Sequence, residues 1–232
     1  MAMYYKKNKV IIPIVMAFAL LSITKGINNK NRLAGNNIIV WSKDYKLKWS
    51  DFQGNGDTAL VIAAGCWSDI NYDFRPMKND TLLITISATF DKMKSFKNMF
   101  HLNEFDLVDQ SLEHEQLHFD ITELFARKFR EKIAKLMPKA KRKYSDWLTY
   151  QLPTLYAEIF SKWQEEQKQF DKDVSFFHEI NPSQTGAMTK EDIDNVKNKQ
   201  NEWRKKIDNE LKELDMYSSI TMKLRVKENI GM

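Results

Sequence analysis

The chain has 232 residues, 43% of them hydrophobic and 29% charged, a composition that excludes a disordered or fibrous protein. Its net charge of +5 is concentrated at one end, in Lys6, Lys7, Lys9, Lys25, Lys30 and Arg32; the remainder is close to neutral and makes no nucleic-acid footprint. A single cysteine, Cys66, excludes an intramolecular disulfide, so stability must come from packing, a metal, or both.

In chain order, Tyr4 to Lys9 is basic and Val10 to Ile23 is almost unbroken apolar sequence. That run is too short for a comfortable bilayer span and suits a signal-peptide core. No cysteine follows it, which excludes a lipoprotein anchor there, and Lys25-Gly26 stands where small residues would mark a cleavage site. Residues 1–26 are therefore expected to be a signal peptide or an uncleaved N-terminal anchor, and the polar residues 27–36 a linker. Residues 37–232 then form one domain, periplasmic or secreted, touching the membrane only through the N-terminal segment.

Short β-type runs open that domain: Ile38 to Trp41, the alternating Tyr45 to Trp49, then Ala59 to Ala64 and Ser68 to Phe74 as one meander broken near Gly65. Gly54 to Asp57 reads as a loop, and Thr81 to Phe90 (TLLITISATF) is the clearest strand, bounded by the turn residues Pro76 to Asp80. Beyond Phe90 the period becomes helical. One long helix is expected from near Phe105 to Leu136, stopping before Pro138, and a second from Pro153 to Phe170 with Leu155, Ile159, Phe160 and Trp163 as its stripe. A third starts at the capping sequence Thr189 to Asp192 and carries Ile193, Val196, Trp203, Ile207, Leu211 and Leu214 on one face. Strands first and helices after predict an α+β fold, an N-terminal antiparallel sheet packed on a C-terminal helical half.

The chemistry is concentrated in SLEHEQLHFDITELFARKFREKI, Ser111 to Ile133. On a helix His118 lies about 40° around the axis from His114, so both imidazoles can converge on one metal ion. Leu117, Ile121, Leu124 and Phe125 share that side, which turns the pair inward. Glu115 flanks it, placed to take a proton from water without being a ligand itself. Zinc suits imidazole, and a catalytic zinc keeps one position open. Asp120 and Glu123 lie about 200° and 140° from the pair, too far round to be ligands. Solvated positions, or support from behind by orienting a neighbouring element, suit them better. The third ligand must come from downstream. Glu158, Asp171 and His178 are the candidates, although Glu158 borders an apolar stripe and Asp171 sits where a helix-end cap would. His101, before the long helix, is weaker still.

These residues carry a resemblance. Leu47 to Gly54 (LKWSDFQG), Ala63-Ala64 with Ile70-Asn71-Tyr72, Ser95-Phe96, and His114 to Ile121 (HEQLHFDI) with Glu123 and Ala126-Arg127 are similar to motifs of a family of secreted bacterial proteins classed as zinc-dependent proteases, formerly a domain of unknown function. The resemblance covers most of the domain. It implies a Y-D-x-x-T-x-H element near the C-terminal end, followed by Q-x-x-W. Phe170-Asp171 and Gln200 to Trp203 fit, but Val174 stands at the threonine position, Phe176 at the histidine position, and His178 arrives two residues late in a lengthened stretch. His178 is the preferred third ligand on that ground, with Asp171 and Glu158 as alternatives.

The expectation is thus a zinc metallopeptidase of the cell envelope or secreted space, acting on a peptide or protein substrate. His114, His118 and His178 would bind Zn2+ and Glu115 would be general base. The alternative is a non-catalytic envelope binding module with a structural metal; a plain structural domain without metal is a third reading.

Overall fold

The computed structural model describes residues 37–56, 64–78, 81–98, 108–136, 147–174 and 190–225. The expected signal segment and linker, His101 and His178 lie outside the described residues. An antiparallel sheet is built around β4 (Thr81–Asp91), which pairs along its length with β3 (Ser68–Met77). The other edge of β4 is shared end to end: β1 (Ile38–Val40) pairs with residues 89–91 and β6 (Thr221–Arg225) with residues 81–85. A separate two-stranded piece joins β2 (Ala64–Gly65) to β5 (Phe96–Lys97). Three helices complete the α+β fold: α1 (Val108–Leu136), α2 (Leu152–Val174) and α3 (Lys190–Glu213).

The strand alternation explains the layering. On β4, Leu82, Ile84, Ile86, Ala88 and Phe90 are all fully buried on one face, and the register puts Ile70, Tyr72, Met222 and Leu224 beside them. Across that face lies α1, contributing Leu117, Ile121, Leu124, Phe125, Phe129 and Ile133 to the same core. Each such side chain, fully buried, stabilises the fold by about 1.5–3 kcal/mol. The helices α2 and α3 pack on the remaining sides of α1 through Ile159, Trp163, Phe170, Trp203, Ile207 and Leu211. Among the described residues no helix is long and apolar enough to cross a membrane.

Four expectations change. Tyr45 to Trp49 alternates but forms no strand, because its backbone donors are taken by a local turn, where Tyr45 N–H meets the Ser42 carbonyl, and by side chains. Leu47 N–H donates to Gln116 Oε1 at 2.8 Å and Lys48 N–H to Asp51 Oδ2 at 2.9 Å, leading into a 3-10 turn at Trp49–Asp51. The residue pairs of β2 join β5 and not the main sheet, since Gly65 must pass the Phe96 ring so closely that a Cβ would lie 2.7 Å from it. β3 continues through Pro76, which an edge strand permits because the missing N–H faces the unpaired side. A π-helical turn, Trp147–Gln151, precedes α2 and lies against Pro153, whose ring and absent N–H disfavour regular α-helix pairing there. β6 has no counterpart in the sequence reading at all.

Candidate metal centre

α1 is enclosed by the sheet and by two helices, so it has almost no solvated face. Its charged residues sort into two clusters. Along one stripe His114, His118 and Thr122 recur at four-residue spacing; on α2 the stripe Trp163, Gln167 and Asp171 has the same spacing. The contacts pair them in opposite order, Thr122 with Trp163 and Gln167, His118 with Gln167 and Asp171, His114 with Asp171. The two helices therefore run antiparallel past one another.

At the open end of this pairing three potential ligand atoms converge. His114 Nε2 and His118 Nε2 are 3.0 Å apart, and Asp171 Oδ1 lies 3.4 Å from the first and 3.0 Å from the second. Ligands bound tetrahedrally to zinc at ~2.0–2.1 Å sit about 3.3 Å from one another, so the triangle fits that ion. Among the described residues this is the one group of three such side chains close enough to share a metal. Its electrostatics agree. Burial alone would lower the His118 imidazole, but the carboxylates of Asp171 and Glu115 and the Gln167 carbonyl reverse this and raise it to about 9. Burial likewise works against the Asp171 carboxylate, yet His118 and His114 hold it well below the usual range. Two rings and a carboxylate aimed at one point favour positive charge there, whether a proton or a cation. The Asp171 side chain is 44% exposed, so solvent reaches the triangle at that corner.

The rings are held from behind by Phe170, fully buried, which stacks on His114 (centroids 4.7 Å, 26°) and meets His118 edge-on (4.9 Å, 81°). Trp203 of α3 braces Phe170 at 5.4 Å and donates its indole N–H to Asp173 Oδ2 at 3.2 Å. Gln200, on the same helix, donates to the Gln110 carbonyl at 3.1 Å. The paired Phe170-Asp171 and Gln200 to Trp203 segments thus meet around one centre.

Glu115 is 5% exposed and accepts the backbone N–H of Cys66, just past β2. Burial raises its carboxyl above the usual range, partly offset by His114 and His118. The Cys66 thiol is pushed well up by burial and then by Glu115, which keeps it protonated and unreactive.

The other predicted residues lie elsewhere. Glu158 is an exposed surface residue whose carboxylate pairs with Lys132 and Lys162, so it does not join the histidines. Asp171 is not a helix-end cap, because α2 continues to Val174. Asp120 and Glu123 are 1% exposed each, not solvated. Asp120 Oδ1 accepts from Trp41 Nε1 (2.6 Å) and Gln116 Nε2 (2.8 Å), and its second oxygen pairs with Arg204 of α3. Glu123 pairs with Arg127 (2.9 Å) and Arg130 (3.0 Å), whose remaining N–H groups reach the carbonyls of Leu211, Ile86 and Tyr217. Both carboxylates orient neighbouring elements and not the histidines. Gln167, Thr122 and Phe170 were missed as site residues. The available signal is the four-residue offset of Thr122 from His118 and of Gln167 from Asp171, with Phe170 next to Asp171.

A family model described as bacterial protein of unknown function (DUF922) matches residues 84–179. That stretch contains His114, Glu115, His118 and Asp171, but not Leu47 to Gly54 or Gln200 to Trp203, so it is narrower than the resemblance read from the sequence. No curated protein and no solved structure matches the chain.

Proposed function

We propose that this chain is a zinc-dependent peptidase of the cell envelope or secreted space. One observation carries the reading: His114 Nε2, His118 Nε2 and Asp171 Oδ1 converge at 3.0–3.4 Å on a solvent-facing side, with the buried carboxylate of Glu115 adjoining. Three protein ligands with one open position are the pattern of a catalytic zinc, whereas structural sites are closed by four. Zinc held there would supply Lewis acidity, lowering the pKa of water and polarising a substrate carbonyl.

The chain's own residues account for the proton movements. Glu115 removes one proton from water as the water oxygen bonds to the carbonyl carbon of the scissile peptide. It then returns that proton to the amide nitrogen as the C–N bond breaks, leaving an amine and a carboxylic acid whose remaining proton passes to the amine or to solvent. Burial raises its pKa, which brings the carboxylate closer in basicity to that task. The Cys66 N–H fixes one side of the carboxylate and so limits the directions in which it can accept. The zinc-protease label of the resembled family and the basic, apolar segment ahead of residue 27 support activity and export respectively.

The test is Glu115→Gln. We expect zinc content and the melting temperature to stay near wild type while cleavage of a denatured protein substrate falls about 10²–10⁴-fold. Equal cleavage by the variant would remove Glu115 from the reaction. Wild-type protein that holds zinc but cleaves nothing would reassign the metal to stability.

A further inference from the structure

We infer that Gln167 is a positioning residue for His118, fixing the imidazole with its Nδ1 protonated and its Nε2 lone pair turned toward His114 and Asp171. The inference rests on the metal reading above and adds to it a side chain that does not touch the metal position.

The assignment follows from which atoms can donate. The His118 backbone carbonyl only accepts, and the Gln167 amide lies 3.0 Å from it through Nε2, so the nitrogen end of that amide must face the carbonyl. Its second N–H reaches Thr122 Oγ1 at 3.2 Å. Thr122 Oγ1 also receives the indole N–H of Trp163 at 3.1 Å, a group that can only donate, which fills both acceptor positions of the hydroxyl. The Thr122 proton lies between the His118 carbonyl at 2.9 Å and Ser68 Oγ at 2.7 Å. Flipping the amide would set Oε1 against the His118 carbonyl. The carbonyl end of Gln167 is thereby fixed on His118 Nδ1. Because that oxygen only accepts, Nδ1 must carry the proton, and Nε2 is left to the ligand side. A partner on the ring nitrogen opposite the metal fixes both tautomer and ring rotation, and losing such a partner costs roughly 10–100-fold in metal affinity. Trp163, Thr122 and Ser68 serve as the stop that holds the amide; their own distances show no contact with the histidine rings.

The experiment titrates zinc against a chromophoric chelator on the full chain, wild type and variants. Gln167→Leu, which keeps the bulk and removes the acceptor, is expected to weaken zinc binding roughly 10–100-fold, whereas Gln167→Glu, which keeps an acceptor for Nδ1 but sets its second oxygen against the His118 carbonyl, recovers part of that loss. Leu binding as tightly as wild type, or Glu binding as weakly as Leu, would overturn the assignment. A second measurement needs no variant to fold: long-range ¹H–¹⁵N spectra of wild type are expected to show a protonated Nδ1 and a bare Nε2 on His118, with zinc bound or, without it, at a pH high enough to leave the ring neutral. A bare Nδ1 overturns the inference. Failure of wild-type protein to bind zinc is a different result, and it would fell the peptidase reading alone.

Discussion

The two halves of α1 hold charge in opposite ways. Around residues 123–130 a carboxylate and two guanidiniums are buried and closed: each Glu123 oxygen meets an arginine, and the remaining arginine donors reach backbone carbonyls on β4, α3 and the turn after it. Around residues 114–118 two imidazoles and the Asp171 carboxylate converge instead on one point, where a proton or a cation can be held. A closed network ties elements together, and one gathered at a partly exposed carboxylate can exchange its proton for a ligand. The contrast separates architecture from chemistry on a single helix.

The contrast breaks first at Glu123. Replacing it by Ala leaves Arg127 and Arg130 buried without their counter-charge, and we expect a loss of about 3–5 kcal/mol in urea unfolding. A loss below about 1 kcal/mol, as for an exposed pair, would show that the cluster is solvated and the distinction false. Next comes the open half. Zinc at a hundred times its dissociation constant should add about 2.7 kcal/mol to wild-type stability, seen as a rise in melting temperature that a chelator reverses. His118→Ala should lose that rise, and an unchanged rise would place the metal elsewhere. The smallest effect belongs to Glu158. Glu158→Gln removes only surface pairs with Lys132 and Lys162, so stability should change by about 1 kcal/mol or less with zinc affinity unaltered.

Much of the architecture was legible because the signals were local. The β4 alternation and the long apolar period of α1 survive in the structure nearly as read, and the His114/His118 spacing needs only the helix itself. Tyr45 to Trp49 misled because alternation records which side chains are buried, not whether the backbone pairs. Leu47 is buried under α1 by a hydrogen bond to Gln116 that no strand periodicity could reveal. Solvated positions for Asp120 and Glu123 stayed open in the sequence because periodicity describes one helix and says nothing of how many neighbours surround it. Asp171 was ranked below His178 partly because the helix was ended at Phe170; extended to Val174, the same carboxylate sits on a turn that faces the histidines. Gln167 needed knowledge of both helices at once.

The meeting of His118 with Asp171 has a topological side. It closes a chain loop of roughly fifty residues, and a bond across such a loop denies the unfolded chain about 4 kcal/mol of conformational freedom. A metal held by the two would act on the unfolded ensemble as a disulfide does, in a chain whose single cysteine gives it no crosslink of its own.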